Sequence, residues 1–306
     1  MLAHFLHRIH GRPHGLSADS TGRNRVTNPM IQLKLAGLTT CVRLAHDVSA
    51  GGPSAALILL HGHGVAGDDL VFLSDELQLP PHIALVFPEG PLIVDEVGAG
   101  EAKRGWWPAD STQMRIAMFT GQAQRAARVA SSGCEGARAQ FVSFLDALQT
   151  ELGLYPEQIV LGGFSQGAIL SLDSVLHDDR PWAGLLCLSG TLCNLPTLRA
   201  RLRRRPGVPV IISHGMSDPI LPFAAARRLY EEFSQAGWNA SFVPFEGSHG
   251  IPKTVVSVLS NTVRGWLGQS PTMQREANAR RAREAAENGI LSPPCAGQID
   301  GSVGHQ

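Results

Sequence analysis

Short runs of consecutive hydrophobic residues, each ended by glycine, proline or a polar residue, recur through most of the chain. Runs of this length and kind are typical of strands that are buried on both faces of a parallel sheet. We predict such strands at residues 55–60, 83–87, 158–164, 182–190, 208–215 and 240–245. Segments with helical spacing of hydrophobic residues separate several of them, so the pattern predicts βαβ units.

The clearest helical spacing is in residues 136–154, where large apolar side chains fall on one face of a helix. These side chains are Phe141, Phe144, Leu145, Leu148 and Leu152. Further helices are predicted at residues 224–233 and 253–267. Another is predicted to begin near Asp68 and Asp69, which would place a carboxylate at the positive end of the helix dipole.

Alternating hydrophobic and polar residues mark the start of the patterned region. They predict two strands, at residues 31–35 and 40–44, on either side of the Ala36-Gly37 turn. We expect these strands to form an antiparallel hairpin at one edge of the sheet. The sequence does not decide whether translation starts at Met1 or at Met30, because the pattern of hydrophobic residues begins only near Met30.

Three segments depart from the alternation of strands and helices. Residues 1–29 are rich in His, Arg, Gly and Ser and show no apolar period, so we expect an extension with little fixed structure. Residues 269–306 are polar, and we expect a largely disordered tail with a helix-prone stretch. Residues 93–133 contain Gly-rich turns and a polar stretch, which we interpret as a lid insertion rather than as a sheet element. The prediction is therefore one α/β domain at residues 30–268, with a mostly parallel central sheet flanked by helices.

Composition and charge narrow the classes of function. The 306 residues contain 26 basic and 26 acidic side chains, so the net charge of +0 creates no field that attracts nucleic acid. No stretch approaches about eighteen consecutive apolar residues, which predicts no membrane span. The five cysteines are scattered, which predicts no disulfide framework. The N-terminal segment lacks the apolar core and cleavage site of a signal peptide, so we expect a cytoplasmic protein.

The sequence Gly163-Phe164-Ser165-Gln166-Gly167 lies where an apolar strand ends and a helix-compatible segment begins. This context is that of the G-x-S-x-G nucleophile elbow, in which a tight turn lifts the serine hydroxyl above the sheet edge. Only small residues fit two positions before and after the serine. The amide of Gln166 would point at a developing oxyanion. We predict that Ser165 is a nucleophile; an ordinary turn serine is the alternative.

Candidate partners for the serine come at the ends of later strands, where functional groups of a parallel sheet gather. Asp218 follows one predicted strand in a proline-stiffened loop, and His249 follows the next in a loop flanked by glycine. A serine needs a neutral imidazole to take its proton and a carboxylate to orient that imidazole. The alternatives are a turn-initiating Asp218 and a surface His249. We interpret His214, close to Asp218, as structural.

The sequence His61-Gly62-His63-Gly64 follows the predicted strand at residues 55–60. A turn containing glycine at this point can aim a backbone amide at the substrate, and we predict that the amide of His63 is a second oxyanion donor. Metal binding by His61 and His63 is the alternative, but a third ligand at suitable spacing is missing. We therefore predict no metal and no cofactor.

Taken in order, the sequences HGHG, FPEGP, GFSQG, HGMSDPILP and GSHGIP resemble the phospholipase/carboxylesterase family of α/β-hydrolases. This family includes acyl-protein thioesterases and small bacterial carboxylesterases, and the resemblance covers residues 31–267. It implies an α/β-hydrolase fold in which Ser165 is the nucleophile, Asp218 the orienting acid and His249 the base. It also implies an oxyanion hole made by the amides of His63 and Gln166.

One departure from the family concerns the substrate pocket. The family often carries a Trp-Phe-Asp run where this chain has Trp106-Trp107-Pro108, with its nearest carboxylate at Asp110. The two tryptophans either line the pocket or only pack the lid onto the core. The pocket therefore cannot be copied from better-known relatives, and the acyl chain length and leaving group stay open.

The motifs together predict a cofactor-independent serine hydrolase that cleaves carboxylic esters or thioesters through an acyl-enzyme. The expected partner is a small-molecule ester or thioester, and the oligomeric state is open. A catalytically silent binding protein on the same scaffold is the main alternative, because a fold does not prove chemistry. A peptidase or lipase of this fold is another. Arginine-rich stretches at residues 199–205 and 275–283 also leave an acidic partner open, although such stretches are usually solvated.

Overall fold

The computed structural model of the chain describes residues 30–44, 52–95, 102–191, 195–204 and 207–268. The predicted extension and tail lie outside the described residues. Within the described ranges, no helix combines the length and apolarity that crossing a bilayer requires.

The strands and helices of the described residues alternate through most of the chain. The strands are β1 Met30–Leu35, β2 Leu38–Arg43, β3 Ala55–Leu60, β4 Ile83–Pro88, β5 Leu92–Asp95, β6 Lys103–Gly105, β7 Ile159–Phe164, β8 Gly184–Leu188, β9 Val210–Gly215 and β10 Ala240–Phe245. The helices are α1 Leu73–Glu76, α2 Ser111–Phe119, α3 Ala123–Ser131, α4 Cys134–Leu152, α5 Gln166–His177, α6 Leu195–Leu202, α7 Phe223–Gln235 and α8 Lys253–Leu267. A short 3₁₀ turn at Pro156–Gln158 precedes β7.

Eight of these strands form one sheet in the order β1-β2-β4-β3-β7-β8-β9-β10. The pairs β1–β2 and β2–β4 are antiparallel, and the pairs from β4 to β10 are parallel. The strands β3, β4, β8 and β9 are buried along their whole length, because both faces of the sheet are covered. The predicted mostly parallel sheet and its antiparallel hairpin are confirmed.

Two hydrophobic cores lie on the two faces of this sheet. Residues of α4, α5, α6 and α7 pack on one face, and residues of α1 and α8 pack on the other. The apolar face predicted for α4 is buried as expected. Helix α8 has the predicted bounds, whereas α6 was not predicted.

The helix predicted near Asp68 and Asp69 begins later than expected. These residues lie in successive turns, in which Asp69 N–H donates to Ala66 O and Val71 N–H donates to Asp68 O. Such i to i−3 bonds use the backbone groups that an α-helix starting there would need. Helix α1 is therefore a single turn, Leu73–Glu76.

The segment predicted as a lid contains secondary structure that was not expected. Strands β5 and β6 pair antiparallel in a small sheet of their own, separate from the eight-stranded sheet. Helices α2 and α3 follow, and α3 packs against α5 and α7. Strands this short are below the length at which alternation can be recognised in a sequence.

Candidate active site

The turn between β7 and α5 has the strained geometry of a nucleophile elbow. Ser165 has a positive φ of 54° with ψ of −115°, a conformation that non-glycine residues seldom adopt. A Cβ atom on Gly167 would lie 2.2 Å from Leu60 O, and one on Gly163 would lie 2.4 Å from the carbonyl carbon of Gly167. The two glycines are therefore required by the close packing of the turn against β3.

The backbone amide of Gln166 lies at the start of helix α5. The first bonds to Ser165 O in this helix come from the amides of Ala168 and Ile169. The amide of Gln166 thus belongs to the first turn, whose N–H groups have no acceptor within the helix. Because the helix dipole is positive at this end, the amide is suited to binding an anion.

A buried carboxylate holds the candidate base. His249 Nδ1 lies 2.6 Å from Asp218 Oδ2, and the Asp218 side chain is 0% exposed. The other oxygen of Asp218 accepts hydrogen bonds from Ile220 N–H at 2.8 Å and Leu221 N–H at 2.9 Å. Because Nδ1 of His249 must carry the proton in this bond, its Nε2 is left free to accept one.

Electrostatics keep this carboxylate ionised. Burial by itself would raise the pKa of Asp218, but hydrogen bonds with His214 and His249 outweigh it and hold the pKa well below its usual range. An ionised Asp218 can stabilise the imidazolium that forms when His249 takes a proton.

A second imidazole, that of His214, touches the same carboxylate. Its Nε2 lies 3.1 Å from Asp218 Oδ2 and 3.0 Å from Leu221 O, and its side chain is 0% exposed. The sequence analysis interpreted His214 as structural, but it did not predict the contact between His214 and Asp218. The only signal in the sequence was the spacing of four residues between His214 and Asp218.

Ser189, which directly follows β8, is another residue of this region that the sequence analysis did not single out. It has a positive φ of 47°, and its buried Oγ donates a hydrogen bond to Gly250 O at 3.1 Å. This bond holds the loop that carries His249 against the end of the sheet. In the sequence, a serine followed by glycine after a strand is indistinguishable from an ordinary turn.

The elbow and the His249 loop are neighbours. The ring centroids of Phe164 and His249 are 4.7 Å apart, and Phe164 directly precedes Ser165. Among the described residues a hydrogen bond joins His249 to Asp218, but none joins His249 to Ser165. Such a bond is often long without substrate and tightens when substrate binds.

The loop after β3 passes directly beside the serine. A Cβ atom on Gly62 would lie 3.4 Å from Ser165 Cβ, so the peptide that carries the His63 amide borders the elbow.

Burial lowers the pKa of His61 to about 4, which makes this side chain neutral. Its Nε2 accepts a hydrogen bond from Gly90 N–H at 2.8 Å, and its Nδ1 lies 2.6 Å from Gly62 O. Both nitrogens of His61 have backbone partners, which argues against the metal alternative.

The two tryptophans of the lid segment are both buried. Trp106 Nε1 donates to His61 O at 2.9 Å, and Trp107 Nε1 donates to Ala130 O at 3.2 Å. These contacts describe packing of the lid segment onto the core; a role in lining the substrate pocket stays a prediction.

Asp110 is exposed and accepts a hydrogen bond from Gln113 N–H at 2.8 Å at the start of α2.

The side chain of Gln166 has contacts that sequence reasoning did not anticipate. Its Oε1 accepts a hydrogen bond from Trp106 N–H at 2.8 Å, and its Nε2 donates to Trp107 O at 2.9 Å. Gln166 is buried, so these bonds satisfy both polar groups of its side chain.

An elbow serine after a central parallel strand, followed along the chain by an aspartate and a histidine in strand-end loops, defines the α/β-hydrolase class. The model of the phospholipase/carboxylesterase family matches residues 48–267. The chain belongs to the phospholipase/carboxylesterase family, as its motifs predicted.

Individual relatives agree with this assignment. The chain is 30% identical to acyl-protein thioesterase 1 of Kluyveromyces lactis over 58% of this chain and 76% of that protein. It is 28% identical to acyl-protein thioesterase 1 of Candida albicans over 65% of this chain and 87% of that protein.

Solved structures share the fold. Esterase PE8 matches with a TM-score of 0.62 and 24% identity, covering 77% of this chain and 100% of that one. A carboxylesterase from Mesorhizobium loti matches with a TM-score of 0.58 and 19% identity, covering 77% of this chain and 99% of that one. The predicted α/β-hydrolase fold is confirmed.

Proposed function

We propose that the protein is a serine hydrolase of carboxylic esters or thioesters, with Ser165 as nucleophile, His249 as base and Asp218 as orienting acid. The observation that carries the proposal is the 2.6 Å contact between His249 Nδ1 and Asp218 Oδ2, with the His249 loop packed beside the strained elbow of Ser165. Family membership supports the class of reaction. The relatives include acyl-protein thioesterases, and the matching family model is that of phospholipases and carboxylesterases.

In the proposed reaction, His249 Nε2 takes the hydroxyl proton while Ser165 Oγ attacks the carbonyl carbon of the substrate. The amides of His63 and Gln166 stabilise the oxyanion of the tetrahedral intermediate. When the intermediate collapses, the bond to the leaving group breaks, and His249 returns the proton to the departing alcohol or thiol. Water then attacks the acyl-enzyme with the same base, which releases the acid and restores Ser165.

The network around Asp218 favours this function over the silent binding scaffold. Asp218 is buried and accepts four hydrogen bonds, one of them from His249 at 2.6 Å, so it holds the imidazole in the tautomer and orientation that a general base needs. We infer a small-molecule ester or thioester as the substrate and a cytoplasmic location.

The test is initial-rate hydrolysis of p-nitrophenyl esters from acetate to palmitate, with a thioester alongside, for wild type and Ser165→Ala. We expect turnover and a burst of leaving group in wild type and neither in the variant. A fluorophosphonate probe, mapped by peptide mass spectrometry, should label Ser165. Equal turnover in the variant would refute the assignment of Ser165. No turnover together with no labelling of wild type would favour the binding scaffold.

A further inference from the structure

The segment Arg104–Trp107, which begins in β6 and lies within the stretch predicted as a lid, is hydrogen-bonded to the loop that carries the His63 amide. Gly64 N–H donates to Arg104 O and Arg104 N–H donates to Val65 O, both at 2.8 Å. Trp106 Nε1 adds a third bond, to His61 O at 2.9 Å. The loop after β3 is therefore attached at both of its ends to one short segment.

The side chain of Gln166 joins the Arg104–Trp107 segment to the elbow. Gln166 accepts from Trp106 N–H through Oε1 and donates to Trp107 O through Nε2, at 2.8 and 2.9 Å. Gln166 is 4% exposed, so water does not compete for these bonds. Trp106 thus donates on one side to the His61–Val65 loop and on the other to the elbow.

Close packing removes the remaining freedom of the segment. A Cβ atom on Gly105 would lie 2.6 Å from His63 Nδ1, and one on Gly90 would lie 2.6 Å from Gly105 O. The segment is therefore enclosed between the side chain of His63 and the end of β4. It cannot shift without moving the loop that it holds.

We propose that the Gln166 side chain is a positioning residue of the oxyanion hole. By joining the elbow to the Arg104–Trp107 segment, it sets the separation of the His63 and Gln166 amides, which follow two different strands, β3 and β7. The inference rests on the proposed function, since it takes these two amides as the donors. Oxyanion donors act only when they lie about 2.7–3.1 Å from the position of the developing charge, so a small change in their separation slows the reaction.

The chain offers a matched control in a second glutamine at the opposite end of β7. Gln158 Oε1 accepts from Tyr155 N–H at 2.9 Å, and its Nε2 donates to Ser54 O at 2.7 Å. Each glutamine therefore uses both polar groups of its side chain to bond backbone groups, and each is bonded in this way to a distant segment of the chain. Only Gln166 does so beside the serine.

The experiment compares Gln166→Met with Gln158→Met, in kcat, KM and inhibition by a trifluoromethyl ketone, which forms an oxyanion adduct with an active serine. We expect Gln166→Met to lower kcat about 10- to 100-fold with KM within about twofold, less than the outright loss of a donor. The ketone should bind more weakly by the same factor. Gln158→Met should leave kcat and ketone binding unchanged, although both variants unfold at lower temperature than wild type.

Gln166→Asn keeps the amide without adding a buried charge but shortens the side chain by one carbon, so its bonds to Trp106 N–H and Trp107 O should be weakened and its kcat should lie between those of wild type and Gln166→Met. It decides the question if Gln166→Met does not fold. An unchanged kcat in the folded Gln166 variants, an equal fall in Gln158→Met, or unchanged ketone binding would overturn the inference. The comparison is made only if wild type turns over substrate and Ser165→Ala does not. Failure of the inference therefore leaves the proposed function intact.

Discussion

The two halves of the candidate site are built in different ways. The nucleophile half, formed by the His61–Gly64 loop and the 163–167 elbow, depends on small residues and backbone amides. A Cβ atom on Gly167 would already lie 2.2 Å from Leu60 O. The base half depends on side chains: Asp218 accepts hydrogen bonds from two imidazoles and two amides. We therefore expect substitutions that add atoms to a glycine to disrupt the nucleophile half. Substitutions that remove a hydrogen-bonding group should disrupt the base half.

Two serines illustrate the difference. Ser165 and Ser189 end adjacent strands, β7 and β8, and both have positive φ, of 54° and 47°. The Ser189 hydroxyl is buried and donates to Gly250 O, whereas Ser165 is only half-buried beside the His249 loop. A positive φ therefore does not by itself identify the proposed nucleophile, since Ala36 in the β1–β2 turn has one too, and the two serines differ in the exposure of the hydroxyl.

The largest effect should come from Asp218→Asn in the base half. Two backbone amides hold the acceptor oxygen at the Oδ1 position, so the new NH2 group faces His249 Nδ1 and donates to it, which drives the imidazole into the wrong tautomer. We expect kcat/KM for a p-nitrophenyl ester to fall about 10⁴-fold while the protein stays folded. A fall of less than about tenfold would show that Asp218 does not orient the base.

In the nucleophile half, the addition of one methyl group should be the damaging change. Gly167→Ala brings Cβ to 2.2 Å from Leu60 O and 2.5 Å from Leu60 C, both backbone atoms that cannot turn aside. We expect the free energy of unfolding in urea to fall by more than about 3 kcal/mol. Gly136→Ala is the control, because nothing lies within 4 Å of its Cβ position in helix α4. That change should stabilise the protein by up to about 1 kcal/mol. Equal effects would refute the steric account.

Acid should affect the nucleophile half first. The pKa of His61 is about 4 in the folded protein, because burial disfavours its charge, against about 6.5 when unfolded. Between these values only the unfolded chain binds the proton, so the free energy of unfolding falls by about 3 kcal/mol as pH drops. The lowered pKa of Asp218 acts at lower pH, where its stabilisation is lost as the carboxylate is protonated.

The pH effect can be measured by urea unfolding between pH 7.5 and 4.5, with the imidazole of His61 followed by NMR. His61→Asn retains an acceptor for Gly90 N–H but has no titrating ring, so its stability should vary less over this range. A His61 that titrates near pH 6.5 in the folded protein would contradict the expectation.

The smallest effect should come from Ser189. Ser189→Ala keeps the strained backbone and removes only the hydrogen bond to Gly250 O, which should cost about 1 kcal/mol of stability. We expect kcat to fall severalfold because the His249 loop is held less firmly. Ser189→Gly also relieves the positive φ, so it should recover stability without recovering kcat. Recovery of both would show that the hydroxyl has no role in holding the loop.

Most of the sheet could be predicted because its strands are runs of buried hydrophobic residues that end in glycine or polar side chains. The residues predicted for the triad were found by the same logic, since Ser165, Asp218 and His249 each follow a predicted strand. The contacts between side chains and distant backbone were not predictable. Gln166 and Trp106 meet only because the lid segment folds back onto the elbow, and no local pattern encodes that approach. Strands β5 and β6 were missed because four and three residues carry too little periodicity.

The order of strands in the sheet also sets which strand pairs lie far apart along the chain. β3 pairs on one side with β4 and on the other with β7, through partners such as Ala56 and Ile159 that are roughly a hundred residues apart. Until β7 has been made, β3 has an unpaired edge on a wholly apolar strand, which is a feature of aggregation-prone intermediates. Gly167 packs against Leu60, the last residue of β3. The turn that gives Ser165 its positive φ therefore packs against a strand whose pairing with β7 spans the largest sequence separation among the strand pairs of the described residues.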